Sequence, residues 1–266
     1  MNELLLSEIK SDEKGLLGKF LLIDDFMFTK AESFQVDIDN IIIQCQKATE
    51  NIESALECVE TLIDELFVEQ MFIDKSKLTW PVISFQIETA LAYRTLAPTL
   101  KAVILCHVIE ACGFESDIVY IPEKTMIRII CDEDYAIIFD PVTGESLDWH
   151  QLDVRMNELD GDPSQLELKP IEAVSLVLEH LTALKNALMR ELNFDEALKC
   201  VDMIIALRPD DPFERRDRGF LLHQLDCFKV AYDDYQYFVE HCPKDPAAQL
   251  LKLQLEKITI VDTVLH

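Results

Sequence analysis

The sequence predicts an α+β fold joined to an all-α module, and three observations carry that prediction. Apolar residues recur at helical intervals through most of the first 113 positions. Three short runs rich in β-branched residues follow Gly113, and beyond residue 175 the chain repeats itself at a fixed shift of 34 residues. The expected division is a first domain over 1–165, with a helical N-terminal part, and a second over 171–266.

In chain order, residues 1 to about 70 read as helices, because Ile41, Ile42, Cys45, Ile52, Leu56, Val59, Leu62, Ile63 and Leu66 recur every three or four positions. SDEKG at 11–15 and AESFQVDIDN at 31–40 supply breaks and caps. A further helix is expected from about Ile83 to Tyr93. Pro98 then opens the helix that closes at Gly113, a residue type suited to the position just past a helix end.

SDIVYIP, TMIRIICD and YAIIFDP are punctuated by Pro, Glu-Lys and Asp-Glu-Asp, and read as strands of one antiparallel sheet. A helix followed by such strands gives α+β and not an alternating α/β wrap. The stretch 151–170, with Gly161, Pro163 and Pro170, reads as a linker.

The shift of 34 superimposes Leu188 on Leu222, Phe194 on Phe228, Ala197 on Ala231, Pro209 on Pro243, Asp211 on Asp245 and Pro212 on Pro246. That is the period of the tetratricopeptide repeat, a pair of packed helices. Ala197 and Ala231 allow close helix approach, and Val201 with Ile204, and Tyr235 with Phe238, fill the groove between the helices. Gly219 holds the small site of the second unit, where the first has Lys185. RPDDP and CPKDP end each unit, since proline cannot continue a helix and an acid suits the next N-terminus. Residues 247–260 form the closing, solvating helix.

Composition narrows the function. Fifty acidic residues against 24 basic ones give a net charge of −26, which repels a phosphate backbone, so nucleic acid is not an expected partner. No apolar run reaches the roughly 18 residues that cross a bilayer, and MNELLLSEIKSDEKG lacks the basic start and unbroken apolar core of a secretory leader, so a cytoplasmic protein away from membranes is expected. None of the eight cysteines forms a C-x-x-C pair, and most sit among apolar residues; reduced core thiols are expected, with no metal and no cofactor.

The likeness to a known family rests on Arg216-Asp217-Arg218-Gly219 with Leu225-Asp226-Cys227, on FDPVTGE at 139–145, and on the helix from Arg94 to Gly113. With two tetratricopeptide repeats after an α+β unit, the chain resembles the SirB-type bacterial proteins, which join a transglutaminase-like, papain-like domain to such repeats. The resemblance implies a cysteine at the N-terminus of a core helix, where the dipole and a nearby His would activate it, and an orienting Asp. Relatives of the enzyme type open that helix with Arg-x-Gly-x-Cys, carry the His in Pro-x-His and the Asp in Asp-Pro. Here the opening is Arg94-Thr95-Leu96-Ala97-Pro98, so Pro98 stands at the nucleophile's place and Leu96 at the glycine's. Lys124, in Pro122-Glu123-Lys124, stands at the base's place; Arg94 is kept, and of the three catalytic positions Asp140 alone is retained.

Other side chains do not fill the gap. Cys106 and His107 are adjacent on a helix and point about 100° apart. Cys106 also lies two turns inside the helix, and Cys112 is at its C-terminus, where the partial negative charge would raise a thiol's pKa. His107 and Glu110 have metal-ligand spacing but no third ligand nearby in sequence, and His150 is ten residues past Asp140, beside a Trp149 that would dock the strand end. The expected function is therefore non-catalytic: a pseudoenzyme acting as a protein-interaction or regulatory protein, with a protein or peptide partner. The repeat register offers Arg215, Arg216, Asp217, Arg218 and Leu222 for recognition, and an ion pair tying the repeats together is the structural use of the same charges. The rival expectation is a cysteine hydrolase or amidotransferase, which needs an exposed thiol of low pKa next to a His in a cleft.

Overall fold

The computed structural model describes residues 3–28, 33–121, 124–132, 135–147 and 168–264. They form two compact units, Glu8–His180 and a second of Met1–Ser7 with Leu181–His266.

The apolar periodicity becomes α1 (Glu3–Lys10) and, in the larger unit, α2 (Leu16–Met27), α3 (Phe34–Thr49) and α4 (Ala55–Asp64), the last running into one π-turn over Glu65–Glu69. Ile41, Cys45, Val59, Leu62 and Leu66 are buried as the spacing predicts. SDEKG does separate α1 from α2, and Lys19 of α2 lays its ammonium on the carbonyls of Ile9 (2.8 Å) and Ser11 (2.6 Å) at that exit. The second break is shorter than AESFQVDIDN suggests, because α3 begins at Phe34. Ser54 caps α4 by accepting from the Glu57 N–H, the S-x-x-E arrangement.

The helix expected from Ile83 to Tyr93 is in fact two pieces, a 3₁₀ turn over Val82–Phe85 and α5 (Ile87–Ala92). Between them Gln86 is extended, and the buried Asp24 of α2 accepts the Ile87 N–H at 3.0 Å. A tertiary cap thus restarts the helix where local propensity would have continued it.

The core helix is α6 (Pro98–Ala111), buried without interruption from Thr99 to Cys106. Gly113 follows with φ +93°, and the bonds Gly113 N–H to Glu110 O and Phe114 N–H to Ile109 O complete a Schellman motif. The three predicted strands are β1 (Glu115–Ile121), β2 (Lys124–Ile130) and β3 (Ala136–Phe139), joined by a two-residue β4 (Ser146–Leu147) that the composition did not single out. All pairs are antiparallel in the order β1-β2-β3-β4, with Ile118 opposite Ile127 and Ile127 opposite Phe139. One face buries Val119, Ile121, Met126 and Ile138 under Leu147 and Leu168. On the other, Ser116 donates to the Cys106 carbonyl of α6. Pro170, read as the end of a linker, instead bridges to Val119, and Ile171 N–H bonds Ile118 O at 2.8 Å, so this strap covers the free edge of β1. The remainder of the predicted linker, with Gly161 and Pro163, lies outside the described residues.

The smaller unit contains the later turns of α7 (Ala173–Arg190), then α8 (Phe194–Leu207), α9 (Pro212–Gln224), α10 (Phe228–His241) and α11 (Pro246–Val264). Helix starts at 194 and 228, and at 212 and 246, keep the 34-residue period; so do the left-handed turn residues Leu192 and Asp226, both with φ +59°. Asp211 caps α9 through the Phe213 and Glu214 N–H groups, and Asp245 caps α11 through the Ala247 N–H at 2.7 Å. Ala197 and Ala231 are fully buried. A Cβ on Gly219 would lie 2.9 Å from the Tyr235 ring and 3.2 Å from the Ala231 carbonyl, so the second unit requires glycine there. Lys185, at the same site of the first unit, is also buried, and it reaches Glu214 at 2.9 Å and Asp217 at 2.7 Å.

Candidate functional site

The residues singled out around the core helix converge. Ala97 N–H bonds the Ser84 carbonyl at 2.9 Å, which fixes the entry of α6, and Pro98 takes the first helical position. Beside it opens a cleft of about 310 Å³, into which Lys124 reaches from the start of β2 and Asp140 from the end of β3. The Lys124 ammonium donates to Asp140 Oδ2 at 2.7 Å. Asp140 also holds the loop that follows it. Its Oδ1 accepts the Val142 N–H at 2.7 Å and the Thr143 N–H at 3.4 Å, while its carbonyl takes the Gly144 N–H at 2.9 Å. The D-P-V-T-G turn is built on this carboxylate. Gly144 completes it with φ +76°, where an added Cβ would sit 2.6 Å from the Phe67 ring.

Arg94 serves the frame. Its own φ is +56°, its Nε donates to Gln70 O at 2.8 Å, its Nη1 to Leu91 O, and its guanidinium lies 4.9 Å over the Phe72 ring. Leu96, in the glycine's place, is fully buried. Pro122, Glu123, Trp149 and His150 lie outside the described residues.

Four features of this cleft escaped sequence reasoning. Lys101, one turn into α6, is fully buried and donates to the carbonyls of Phe72 and Val142 (3.2 Å for the latter); burial lowers its pKa to about 8, against the pull of Asp74 and Asp140. A single lysine inside the apolar run of PTLKAVILC was the available signal. Lys77 pairs with Asp74 at 2.8 Å and lies 4.3 Å over the Trp80 ring. Tyr120 of β1 lines the wall with an exposed ring. Glu179, from the first turns of α7, accepts from Thr99 Oγ1 at 2.7 Å and Thr125 Oγ1 at 3.2 Å. Eighty positions separate it from Thr99, and no local pattern marks it.

The thiols lie elsewhere. Cys106 and His107 border another cavity of about 530 Å³ with Glu110, Phe34 and the first turn of α2. Burial pushes the Cys106 thiol up to about 12, which leaves it protonated. Cys112 departs from its expected direction: its hydrogen bond with the Cys45 thiol lowers its pKa more than burial raises it, and the same contact, with burial, raises Cys45. Among the described residues no group of three or more His, Cys, Asp and Glu could hold a metal ion.

In the repeats the candidate recognition residues are engaged with one another. Arg218 grips the buried Asp234 of α10 through Nε and Nη2, both at 2.7 Å, and reaches Asp202 of α8 at 3.4 Å. Arg215 adds a 3.4 Å contact to Asp234 and lies 5.3 Å over the Tyr237 ring. Asp217 joins Lys185 to Arg216, which also stacks near Phe213 and Phe238. Leu222 is half-buried. These charges tie adjacent helices of the module together.

Comparison with known proteins matches both parts. A transglutaminase-like superfamily model matches residues 32–182 and a tetratricopeptide repeat model matches 184–256. The chain is similar to a UPF0162 protein of Vibrio cholerae, 34% identical over 176 residues, 65% of each chain. It is also similar to a UPF0162 protein of Buchnera aphidicola subsp. Acyrthosiphon pisum, 32% identical over 183 residues, 68% of each chain. Protein SirB1 of Salmonella typhimurium is 27% identical over 233 residues, 86% of this chain and 87% of that protein. The aligned part thus spans 65% of the length of the Vibrio relative. No solved structure gives a significant match.

Proposed function

The chain belongs to the transglutaminase-like superfamily and carries tetratricopeptide repeats, and we propose that it uses this frame to bind and not to catalyse. The reading is a cytoplasmic protein-interaction or regulatory protein in which a degenerate transglutaminase-like domain is joined to a module for a protein or peptide partner. One observation carries it. At the start of α6, where a cysteine would attack, stands Pro98, and the residue in the base's place, Lys124, donates to Asp140 at 2.7 Å. A prolyl ring offers no nucleophile, and a protonated amine has no site for a proton.

Two further features support the reading. Acyl transfer builds negative charge on the substrate oxygen, and the Glu179 carboxylate, held between Thr99 and Thr125 at this helix start, opposes that charge. Cys106, which has His107 as its neighbour, is kept protonated by burial. Tetratricopeptide repeats generally mediate protein–protein contacts, and the net charge of −26 favours a basic partner over nucleic acid. No helix among the described residues is long and apolar enough to cross a membrane.

The test is covalent. The full chain is incubated at neutral pH with p-nitrophenyl acetate, which acylates activated thiols, and each of the eight cysteines is read by mass spectrometry. The expected result is no burst of nitrophenol and no acyl-cysteine; a thioester on any cysteine that turns over overturns the reading.

A further inference from the structure

Two ion pairs border the cleft beside Pro98, and both are oriented in the same sense. In Lys77–Asp74 (2.8 Å) the lysine side chain is 40% exposed and the aspartate side chain 17%; in Lys124–Asp140 (2.7 Å) the values are 44% and 8%. In each pair the acid is the more buried partner, and both lysines line the cleft. Both oxygens of each carboxylate are already engaged: Asp74 accepts the Lys75 N–H and Lys77, and Asp140 accepts Lys124 with the turn N–H groups. An ammonium has three N–H donors, so each lysine keeps two beyond its partner. Lys101, fully buried, bonds the carbonyl of Val142, a residue of the cleft lining.

The opposite wall is negative. Glu179 is exposed, and its Oε1 takes both threonine hydroxyls, which leaves Oε2 to accept. Lys124, Thr125 and Glu179 all line this cleft, so both poles border the same space. Between them the surfaces are apolar: Trp80 under Lys77, the Tyr120 ring, Val142 and Pro98.

A dipolar cleft selects a dipolar ligand, since a simple anion would face Glu179 and a simple cation the lysines. About 310 Å³ is at the small end of ligand sites and takes one or two residues, not a folded surface. We propose that this cleft binds an α-carboxylate whose α-nitrogen carries N–H, as in a free amino acid or the C-terminal residue of a peptide. The carboxylate lies on Lys77 and Lys124, the N–H on Glu179, and the side chain against Trp80 and Tyr120. The assignment rests on the non-catalytic reading in one respect, that the ligand is held intact.

The experiment titrates the full chain by calorimetry with phenylalanine, glycyl-phenylalanine and phenylalanine amide. Saturable binding is expected for one or both carboxylates, weakened about 10- to 100-fold for the amide, the loss expected for one charged hydrogen bond. Lys77→Met and Glu179→Gln each weaken binding by a similar factor at unchanged melting temperature. Tighter binding of phenylalanine assigns the free amino acid, and tighter binding of glycyl-phenylalanine the peptide end. No saturable heat at about 10 mM ligand, a Kd beyond any specific use of the cleft, or equal binding of the amide overturns the proposal. Hydrolysis of glycyl-phenylalanine, read by mass spectrometry, overturns the non-catalytic reading together with it, whereas absent binding without hydrolysis overturns this proposal alone.

Discussion

His180 and Asp24, both in the larger unit, should set two opposed pH dependences that almost cancel. His180 is enclosed by the Phe20 and Phe85 rings, at 4.9 and 5.5 Å, and its Nδ1 has no hydrogen-bond partner among the described residues. Burial lowers its pKa from 6.5 to about 4. Asp24 moves the other way, from 3.8 to about 6, chiefly through burial, with the Ile87 N–H opposing and Asp25 and Glu88 adding. Between pH 6.5 and 4 the unfolded chain protonates the histidine and the folded one does not, so stability falls as pH falls. Between pH 6 and 3.8 the folded chain protonates Asp24 first, so stability rises as pH falls. At 1.36 kcal/mol for each tenfold change, both effects are roughly 3 kcal/mol. Asp24→Asn keeps an acceptor for Ile87 and removes the titration. Its urea unfolding free energy, relative to wild type, should therefore drop by roughly 3 kcal/mol on going from about pH 6.5 to about pH 4. His180→Phe should gain about as much relative to wild type over the same interval. Unfolding followed by circular dichroism at half-unit pH steps measures both, and difference profiles cancel the remaining carboxylates. Flat difference profiles for both variants would refute the linkage.

Two mutations probe packing and buried charge. Gly144→Ala places a Cβ 2.6 Å from the Phe67 ring at φ +76°, and should cost about 2–4 kcal/mol in urea unfolding, partly recovered when Phe67→Leu is added; a loss under about 0.5 kcal/mol, or simple additivity, would contradict the geometry. Lys185→Met strands Glu214, whose pKa burial already raises despite its partner, and should destabilise the repeats by about 3–5 kcal/mol, with Glu214→Gln in the same chain restoring part; thermal melts that match wild type would show the pair to be dispensable.

Much of this was legible because it is periodic. The 34-residue repeat fixed helix starts, capping acids and even the paired left-handed turns, since each unit must bury the same stripe against its neighbour. The convergence of Pro98, Lys124 and Asp140 was readable through family motifs that survive in outline. What escaped is tertiary. The break at Gln86 depends on a carboxylate from α2, the positive wall on Lys77 in a loop without pattern, and the negative wall on Glu179 from a helix 80 residues past Thr99. The charged run Arg215–Arg218 was visible, but its partners Asp202 and Asp234 sit on helices on either side of α9, and spacing alone does not choose between an internal network and a recognition face.

The retained Asp140 is also explained without catalysis. In a cysteine enzyme of this kind an aspartate orients the histidine, so its survival beside Pro98 and Lys124 looks like a relic. Here its Oδ1 closes the D-P-V-T-G turn, whose Val142 carbonyl in turn receives the buried Lys101. Loss of the carboxylate would therefore unpin the turn, leave Lys124 without its partner and remove a negative charge from beside Lys101. With Asp140 buried, a cation able to neutralise it is favoured beside it, and Lys124 satisfies that requirement at 2.7 Å. Lys124 and Asp140 thus answer a single electrostatic constraint, and the lysine that balances Asp140 is at the same time part of the cleft lining.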